Sequence, residues 1–190
     1  MWVRMSIAAT IRERRSIRQF KEDPVPAELI IQWLNDAVWA PNHGLREPWR
    51  FIVAERAEAR ETLADLMVDS LSHLKLVKLI PGKIKQVMKA KISRIPAHLI
   101  VVMKVDKDEH KRDEDYAAAS CLIQNFQLLA WEQGVGMIWS TTEYIRSPLF
   151  CDGVGVRPDE RVVGVLHMGY FDKVPKPRPR TPAEQKLTIL

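Results

Sequence analysis

The stretch HLIVVMKV, residues 98–105, is a nearly continuous apolar run that contains β-branched residues. A strand that is covered on both faces has this pattern, so we predict a central strand here. The acidic residues 113–115 follow, and we predict that they open a long helix ending at Gly134, with carboxylates at the positive end of its dipole. Apolar residues surround this helix instead of forming a stripe. We therefore expect it to be buried all round, either centrally or at a subunit interface.

The elements around this unit follow from periodicity and from the positions of proline and glycine. We predict helices at 5–14, 27–39, 57–72 and 83–93, and strands at 49–54, 135–141 and 161–168. This order of helices and strands indicates an α+β or mixed α/β domain. A chain of 190 residues fits one core, so we expect a single domain over 1–190 with an extended, basic, proline-rich tail at 172–190.

The net charge of +5 favours anionic partners. It is concentrated, because residues 70–105 contain eight Lys and Arg side chains and no acidic residue. This basic segment is either a solvated helix face or a surface that attracts phosphates. A nucleic-acid-binding protein that uses residues 75–94 is an alternative function, but that stretch has no aromatic residue to stack on bases. We expect no nucleic-acid partner.

Several other functions are disfavoured by the sequence. No apolar run approaches the roughly 18 to 20 residues that cross a bilayer, so we expect a cytoplasmic protein without a membrane partner. The five histidines and two cysteines lack the spacing of a metal site or of a disulfide framework, and no metal is expected. GxGxxG, P-loop, GxSxG and HExxH patterns are also missing from the sequence. Redox chemistry in this chain would therefore need an organic cofactor.

Four short motifs follow one another along the chain: RERRSIRQF at 12–20, APNHGLREPWRF at 40–51, GVGMIWST at 134–141 and GVLHMGY at 164–170, the last followed by the basic tail. In this order they resemble the signatures of the FMN-dependent nitroreductase family. The short length and the WST strand end resemble its compact branch. The four motifs together extend over nearly the whole chain.

The resemblance implies a nitroreductase-like fold, in which a central, mostly antiparallel sheet of four to five strands is flanked by helices in three α/β/α layers. It implies an NAD(P)H-dependent oxidoreductase that passes hydride from NADH or NADPH through FMN to a nitroaromatic, quinone or similar electron-poor small molecule. No side chain is predicted to be catalytic, because the flavin performs the chemistry. The family's proteins are homodimers with FMN at the subunit interface, and we expect the same here. A flavin-binding protein without turnover is the alternative.

On this resemblance, two groups of arginines enclose the FMN phosphate. Arg14 and Ser16 correspond to residues that bind phosphate or ribityl oxygens, with Arg15 beside them, and bidentate arginine suits a phosphate. Arg178 and Arg180 correspond to a carboxy-terminal basic pair that closes the same site. An exposed basic helix end is the alternative for the first group, and a disordered tail is the alternative for the second.

Arg18 corresponds to the family's basic residue near N1 and O2 of the flavin. Reduction by hydride places negative charge there, and a fixed cation would stabilise that charge and raise the redox potential. A salt bridge from Arg18 to Glu22 or Asp23 is the alternative.

The loop between Ala-Pro and Pro-Trp departs from the family pattern, because Leu45 and Glu47 stand where an asparagine and a glutamine are usual. We expect His43, Glu47 or backbone amides to contact the pyrimidine edge of the flavin. The alternatives are that His43 caps a helix end and that Glu47 pairs with Arg46 or Arg50.

Further contacts to the flavin ring are expected from a strand end, at Trp139, Ser140 and Thr141. Core packing is the alternative for Trp139. From the partner subunit, Trp39 is the candidate contact, and packing on its own amphipathic helix is the alternative.

Overall fold

The structure is a computed structural model that describes residues 6–72 and 79–190. The helices in these ranges are α1 Ile7–Glu13, α2 Ala27–Ala37, α3 Ala57–Ser70, α4 Gly82–Ser93, α5 Glu109–Glu132 and α6 Pro148–Gly153. The strands are β1 Trp49–Ala54, β2 Ala97–Lys104, β3 Val135–Ser140 and β4 Glu160–Tyr170. Local sequence determines several boundaries. The Ser6 side chain, for example, accepts a hydrogen bond from the Ala9 amide at the start of α1.

The four strands form one sheet in the order β1-β2-β4-β3, and every neighbouring pair is antiparallel. Strand β2 lies between β1 and β4, and each of its residues is buried except Lys104. The predicted central strand is thus confirmed. A register shift between Val101 and Val102 interrupts the pairing of β2 with β4.

Alternate residues of β2 enter two separate cores, as expected for a strand covered on both faces. Leu99, Val101 and Met103 join the core that also contains residues of α2 and α5. Ile100 and Val102 join the core that contains residues of α3 and α6. The predicted α+β fold is confirmed, with helices on both sides of an antiparallel sheet.

The long helix α5 corrects two predictions. It begins at Glu109, a full turn before the acidic cluster, because the Asp108 side chain accepts a hydrogen bond from the His110 amide and caps the helix there. Within one chain α5 is also not buried all round, since Tyr116 and Cys121 are exposed. A helix that packs on one sheet buries a single stripe. Its place at a subunit interface stays a prediction.

In the described part of the basic segment, a lysine is paired with carboxylates that lie outside the segment. Lys89 of α4 lies 3.0 Å from a carboxylate oxygen of Asp65 and 3.0 Å from one of Asp69, both on α3. Its side chain is only 18% exposed. The acidic partners come from a neighbouring helix, which a scan along the segment cannot reveal. Lys75 and Lys78 lie outside the described residues.

The basic tail after β4 is exposed along the chain from residue 172, and its one regular feature in the structure is a short 3-10 turn at Ala183–Lys186. Of the helices in the described ranges, none has the length and apolar character needed to cross a membrane.

Candidate functional site

A cavity of about 760 Å³ lies between the segment after α1 and the carboxy-terminal tail. Residues 14–19 form one side of it, and residues between 173 and 180 form the other. None of the described lining residues is acidic, and seven are cationic: Arg14, Arg15, Arg18, Lys173, Lys176, Arg178 and Arg180. The structure therefore brings both predicted arginine groups to one cavity with a strongly positive lining.

The first arginine group is held against the edge of the sheet. The Ile17 amide donates to the Met137 carbonyl of β3 at 3.1 Å, and Ser16 forms a parallel bridge with the same residue. Gly136 makes this approach possible. A Cβ atom at that position would overlap the Ile17 side chain and would lie 2.7 Å from Cδ1 of Phe171.

Arg14 is half-buried in this cavity. Its Nη1 donates to Oε1 of Gln127 on α5 at 3.3 Å, whereas its buried Nε has no hydrogen-bond partner among the described residues. Burial and the charges of Arg15 and Arg180 lower the pKa of Arg14. A bound anion would supply both the missing acceptor and the missing negative charge.

The other residues that are predicted to bind the phosphate differ in their hydrogen bonds and in their exposure. Arg15 Nη1 donates to the Arg14 carbonyl at 2.8 Å, while Ser16 is exposed. In the tail, Arg180 Nη1 donates to the Arg178 carbonyl at 3.1 Å, and both side chains are exposed. Lys173 and Lys176 also line the cavity, and our sequence reasoning missed them although the tail was known to be basic.

Arg18 lines the same cavity and is exposed. Within residues 6–72 and 79–190, no salt bridge joins it to Glu22 or Asp23, so that alternative is wrong. Asp23 pairs instead with Lys21, at 3.8 Å.

The loop before β1 is stabilised from within and from α5. Oδ1 of Asn42 accepts from the Glu47 amide at 3.0 Å. His43 begins a 3-10 turn and places Nδ1 3.4 Å from Oε1 of Glu114, so it does not cap a helix end as the alternative held. Glu47 is exposed, and among the described residues neither Arg46 nor Arg50 pairs with it.

Both of these arginines have other carboxylate partners. Arg46 binds Asp115 and Asp106, with Nη2 at 2.8 Å and 2.9 Å from their oxygens. Arg50 joins β1 to β4 through Glu160, with Nε 2.8 Å from Oε1. These bonds lower the pKa values of Asp106 and Glu160 to about 2.

The strand end at 139–141 lies apart from the cavity lining. Trp139 is half-buried beside the core, and its Nε1 donates to the Val163 carbonyl at 3.4 Å. Ser140 Oγ accepts from the Tyr144 hydroxyl at 3.1 Å, and Thr141 is exposed. Burial raises the pKa of Tyr144 to about 12.

Trp39 is 87% exposed and does not pack on its own helix, so that alternative is wrong. Within one chain, the predicted site residues thus fall into two sets. One set lines the cationic cavity, and the other lies outside its lining: Trp39, His43, Glu47, Trp139, Ser140 and Thr141.

A buried histidine pair was not predicted. His98 of β2 and His167 of β4 face each other in register, with their Nδ1 atoms 2.7 Å apart. Burial lowers the pKa of His167 to about 4, and burial together with the charge of His167 lowers that of His98. In the described ranges, no group of three or more His, Cys, Asp or Glu residues is arranged to hold a metal ion.

Comparison with known proteins gives consistent matches. The profile of the nitroreductase family matches residues 11–170. The NAD(P)H nitroreductase-type protein YfhC of Bacillus subtilis strain 168 is 38% identical over 178 residues, which cover 94% of this chain and 91% of that protein.

Two solved structures extend the similarity to the fold. The nitroreductase-like family protein from Bacillus cereus is 41% identical, with a TM-score of 0.90 over 100% of this chain and 98% of that chain. The FMN and NADPH-dependent nitroreductase NfnB from sphigopyxis sp. strain HMH is 17% identical, with a TM-score of 0.80 over 98% and 99% of the two chains.

Proposed function

Since this chain belongs to the nitroreductase family, we propose that it binds FMN. We also propose that it carries electrons from NADH or NADPH to a nitroaromatic, quinone or similar electron-poor small molecule. Family membership makes the chain a flavin-dependent oxidoreductase of the NAD(P)H nitroreductase type. The identity of the cofactor and the class of acceptor are the proposed parts.

The cationic cavity is the observation that supports FMN. Its seven cationic side chains repel one another, and the buried Nε of Arg14 has no acceptor within the described structure. A terminal phosphate carries about −1.5 to −2 charges and three acceptor oxygens, so it matches this lining. Because residues from both ends of the sequence enclose the cavity, we expect FMN instead of FAD, whose phosphate continues into an adenylate.

The bound flavin would accept hydride from NAD(P)H and pass it to the acceptor in a ping-pong sequence. The protein's own contribution is binding and electrostatics. Arg14, Arg15 and the tail arginines would hold the phosphate, and Arg18 lies on the same segment, where its charge would favour electron density on the ring. Solvent would supply the protons.

We further propose a homodimer in which FMN lies between subunits. Trp39, Leu45 and Ile31 are large apolar side chains that are more than half exposed, and Tyr116 is exposed on α5. Trp39 and the loop before β1 do not line the cavity of their own chain. In a dimer they would contribute to the site of the partner.

The test begins with the protein as purified. We expect a yellow protein whose released flavin has the mass of FMN, whose colour is bleached by NADPH without oxygen, and whose colour returns with a nitroaromatic or quinone. A stable colour that NADPH does not bleach would indicate flavin binding without turnover. A colourless protein with salt-sensitive nucleic-acid binding would favour the basic helix α4 as the functional surface.

A variant connects this result to the cavity. Arg14→Gln should weaken FMN binding about 10- to 100-fold, because a charge-assisted hydrogen bond contributes roughly 1.5 to 3 kcal/mol. Titration of the apoprotein with FMN measures the dissociation constant. Arg12→Gln is the matched control, since Arg12 is an exposed arginine on α1 outside the cavity lining. Equal losses in the two variants would contradict the phosphate assignment.

A further inference from the structure

We propose that Arg46 is a positioning residue, which holds the loop at 42–47 in the conformation that contacts the flavin ring and so influences the flavin's redox potential. This inference rests on the proposed function, but it concerns residues that do not touch the cationic cavity. The loop connects α2 to β1 and contains two of the residues expected at the flavin, His43 and Glu47.

The anchor is a bidentate ion pair with a buried carboxylate. Arg46 Nε lies 3.0 Å from Oδ1 of Asp115, and Nη2 lies 2.8 Å from its Oδ2. The same Nη2 lies 2.9 Å from Oδ2 of Asp106, which follows β2. The Asp115 side chain is only 4% exposed. A buried carboxylate on α5 is costly without a cation, so it fixes where the guanidinium must lie.

The loop around this anchor has an unusual backbone. Leu45 has φ of 51° and Glu47 has φ of 42°, so the residues on both sides of Arg46 adopt the left-handed region that side chains with a Cβ disfavour. Arg46 itself is right-handed, with φ of −68°. Such a backbone persists only where surrounding contacts determine it, and strain of this kind concentrates at binding sites.

Few contacts in the described part of the chain determine it, among them the 3.4 Å approach of His43 Nδ1 to Oε1 of Glu114 on α5. Asn42 Oδ1 accepts from the Glu47 amide at 3.0 Å, and Pro48 begins the buried approach to β1. The side chains of Leu45 and Glu47 are exposed and do not anchor the loop. The Arg46 fork is therefore the strongest described link between the loop and the rigid frame of α5. Loss of the fork would let the two flanking residues relax toward ordinary backbone angles.

The chain offers a matched control. Arg50, four residues on, makes the same kind of fork with Glu160, whose side chain is 7% exposed. That pair joins β1 to β4. Arg50 follows Pro48 in the chain whereas the loop precedes it, so the pair does not involve the loop. Arg46→Lys and Arg50→Lys each keep the charge and lose the planar fork, so both should reduce thermal stability. Only the first should affect the flavin.

The experiment compares the parent, Arg46→Lys, Asp115→Asn and Arg50→Lys. Hydrogen exchange on the apoproteins measures protection of the Glu47 amide. FMN titration and redox titration of the holoproteins measure the dissociation constant and the midpoint potential. For Arg46→Lys and Asp115→Asn we expect about tenfold faster exchange at Glu47, about tenfold weaker FMN binding and a shifted potential. For Arg50→Lys we expect all three to match the parent.

Two results would overturn the inference. If Arg46→Lys melts earlier but leaves exchange at Glu47, FMN affinity and potential unchanged, Arg46 is only a structural ion pair. If Arg50→Lys shifts the potential equally, the effect is general loss of stability. A parent that does not bind FMN at all would instead overturn the proposed function, and this inference with it.

A milder variant covers the case in which Arg46→Lys does not fold. Asp106→Asn removes the charge from one of the two carboxylates but leaves Asp115 paired, and Oδ1 can still accept from the Asp108 amide. It should give changes in the same direction and of smaller size. Unchanged exchange and potential in this variant, beside an unfolded Arg46→Lys, would assign the network to stability alone.

Discussion

At the residue scale, the buried pair of His98 and His167 should control the response to acid. An unfolded histidine titrates near pH 6.5, whereas His167 in the fold has a pKa of about 4. Between these values only the unfolded state binds the proton, so the stability is complete above pH 6.5 and is lost as the pH falls toward 4. His167 contributes up to about 3 kcal/mol to this loss, and His98, whose pKa burial also lowers, adds to it in the same direction. Denaturant unfolding between pH 7 and 4 measures it.

His167→Gln tests the assignment, because glutamine can still hydrogen-bond His98 but does not titrate. The variant should show a shallower loss of unfolding free energy between pH 6.5 and 4. His110→Gln replaces an exposed histidine outside the buried pair and is the control for a histidine-to-glutamine substitution as such. The Arg50–Glu160 pair acts in a lower window, because the folded pKa of Glu160 is about 2 and its contribution is lost between pH 4.5 and 2. Identical slopes for His167→Gln and the parent would rule out the histidine pair as the cause.

At the element scale, the position of the arginine segment on β3 depends on Gly136. A methyl group there would overlap Ile17 and press on Phe171, so Gly136→Ala should push residues 14–18 away from the strand. Overpacking of this kind costs about 1 to 3 kcal/mol. We expect a lower unfolding free energy and a weaker affinity for FMN, measured by denaturant titration and by FMN titration of the apoprotein.

Gly82→Ala is the comparison for this substitution. Gly82 opens α4, and a Cβ there would meet no atom of residues 6–72 or 79–190 within 4 Å. Alanine is the better helix former, so this variant should be neutral or slightly more stable and should bind FMN like the parent. If both alanine variants behave alike, close packing at Gly136 does not control the site.

Periodicity was sufficient to predict the strands and most helices, because each is decided by side chains a few positions apart. Strand β1 was predicted at 49–54, where the structure has it. The start of α5 was missed since Asp108, an ordinary capping residue, is a weaker signal than three consecutive acids. The pairs Arg46–Asp115 and His98–His167 join residues 69 positions apart, and no local pattern in one sequence indicates such contacts.

At the scale of the whole molecule, the exposed apolar surface supports the proposed dimer. Trp39→Ser should weaken self-association about 30-fold, because a tryptophan buried at the centre of an interface commonly contributes 2 kcal/mol or more. Sedimentation velocity over a dilution series gives the dimer dissociation constant. We expect the parent to sediment as a dimer at micromolar concentration.

Leu149→Ser provides the control for Trp39→Ser. Leu149 is also an exposed apolar residue, but it belongs to α6, which packs on the opposite face of the sheet from α2. It should leave the dimer intact. A parent that sediments as a monomer while it holds flavin would contradict the shared site.

The motifs predicted one part of the candidate site, although its residues lie far apart along the chain, and did not predict another. The motifs indicated that Arg14 and Arg180 belong together, and the structure places both at one cavity. The sequence alone did not indicate that Trp39 is exposed. Its helix is amphipathic, and a tryptophan at the end of such a helix is equally compatible with a buried and an exposed position. Solvent exposure is a property of the folded surface, so it is known only from the three-dimensional structure.

The cavity between residues 14–19 and 173–180 also sets an order of events during synthesis. Ribosomes add about 5 to 20 residues per second, so Arg14 is made roughly 8 to 33 seconds before Arg180. The nascent chain presents only half of the phosphate-binding lining until translation reaches the tail. Under the proposed function, cofactor uptake is a late step in the maturation of each polypeptide, and we expect a chain terminated before residue 173, which lacks the tail side of the cavity, to retain FMN poorly.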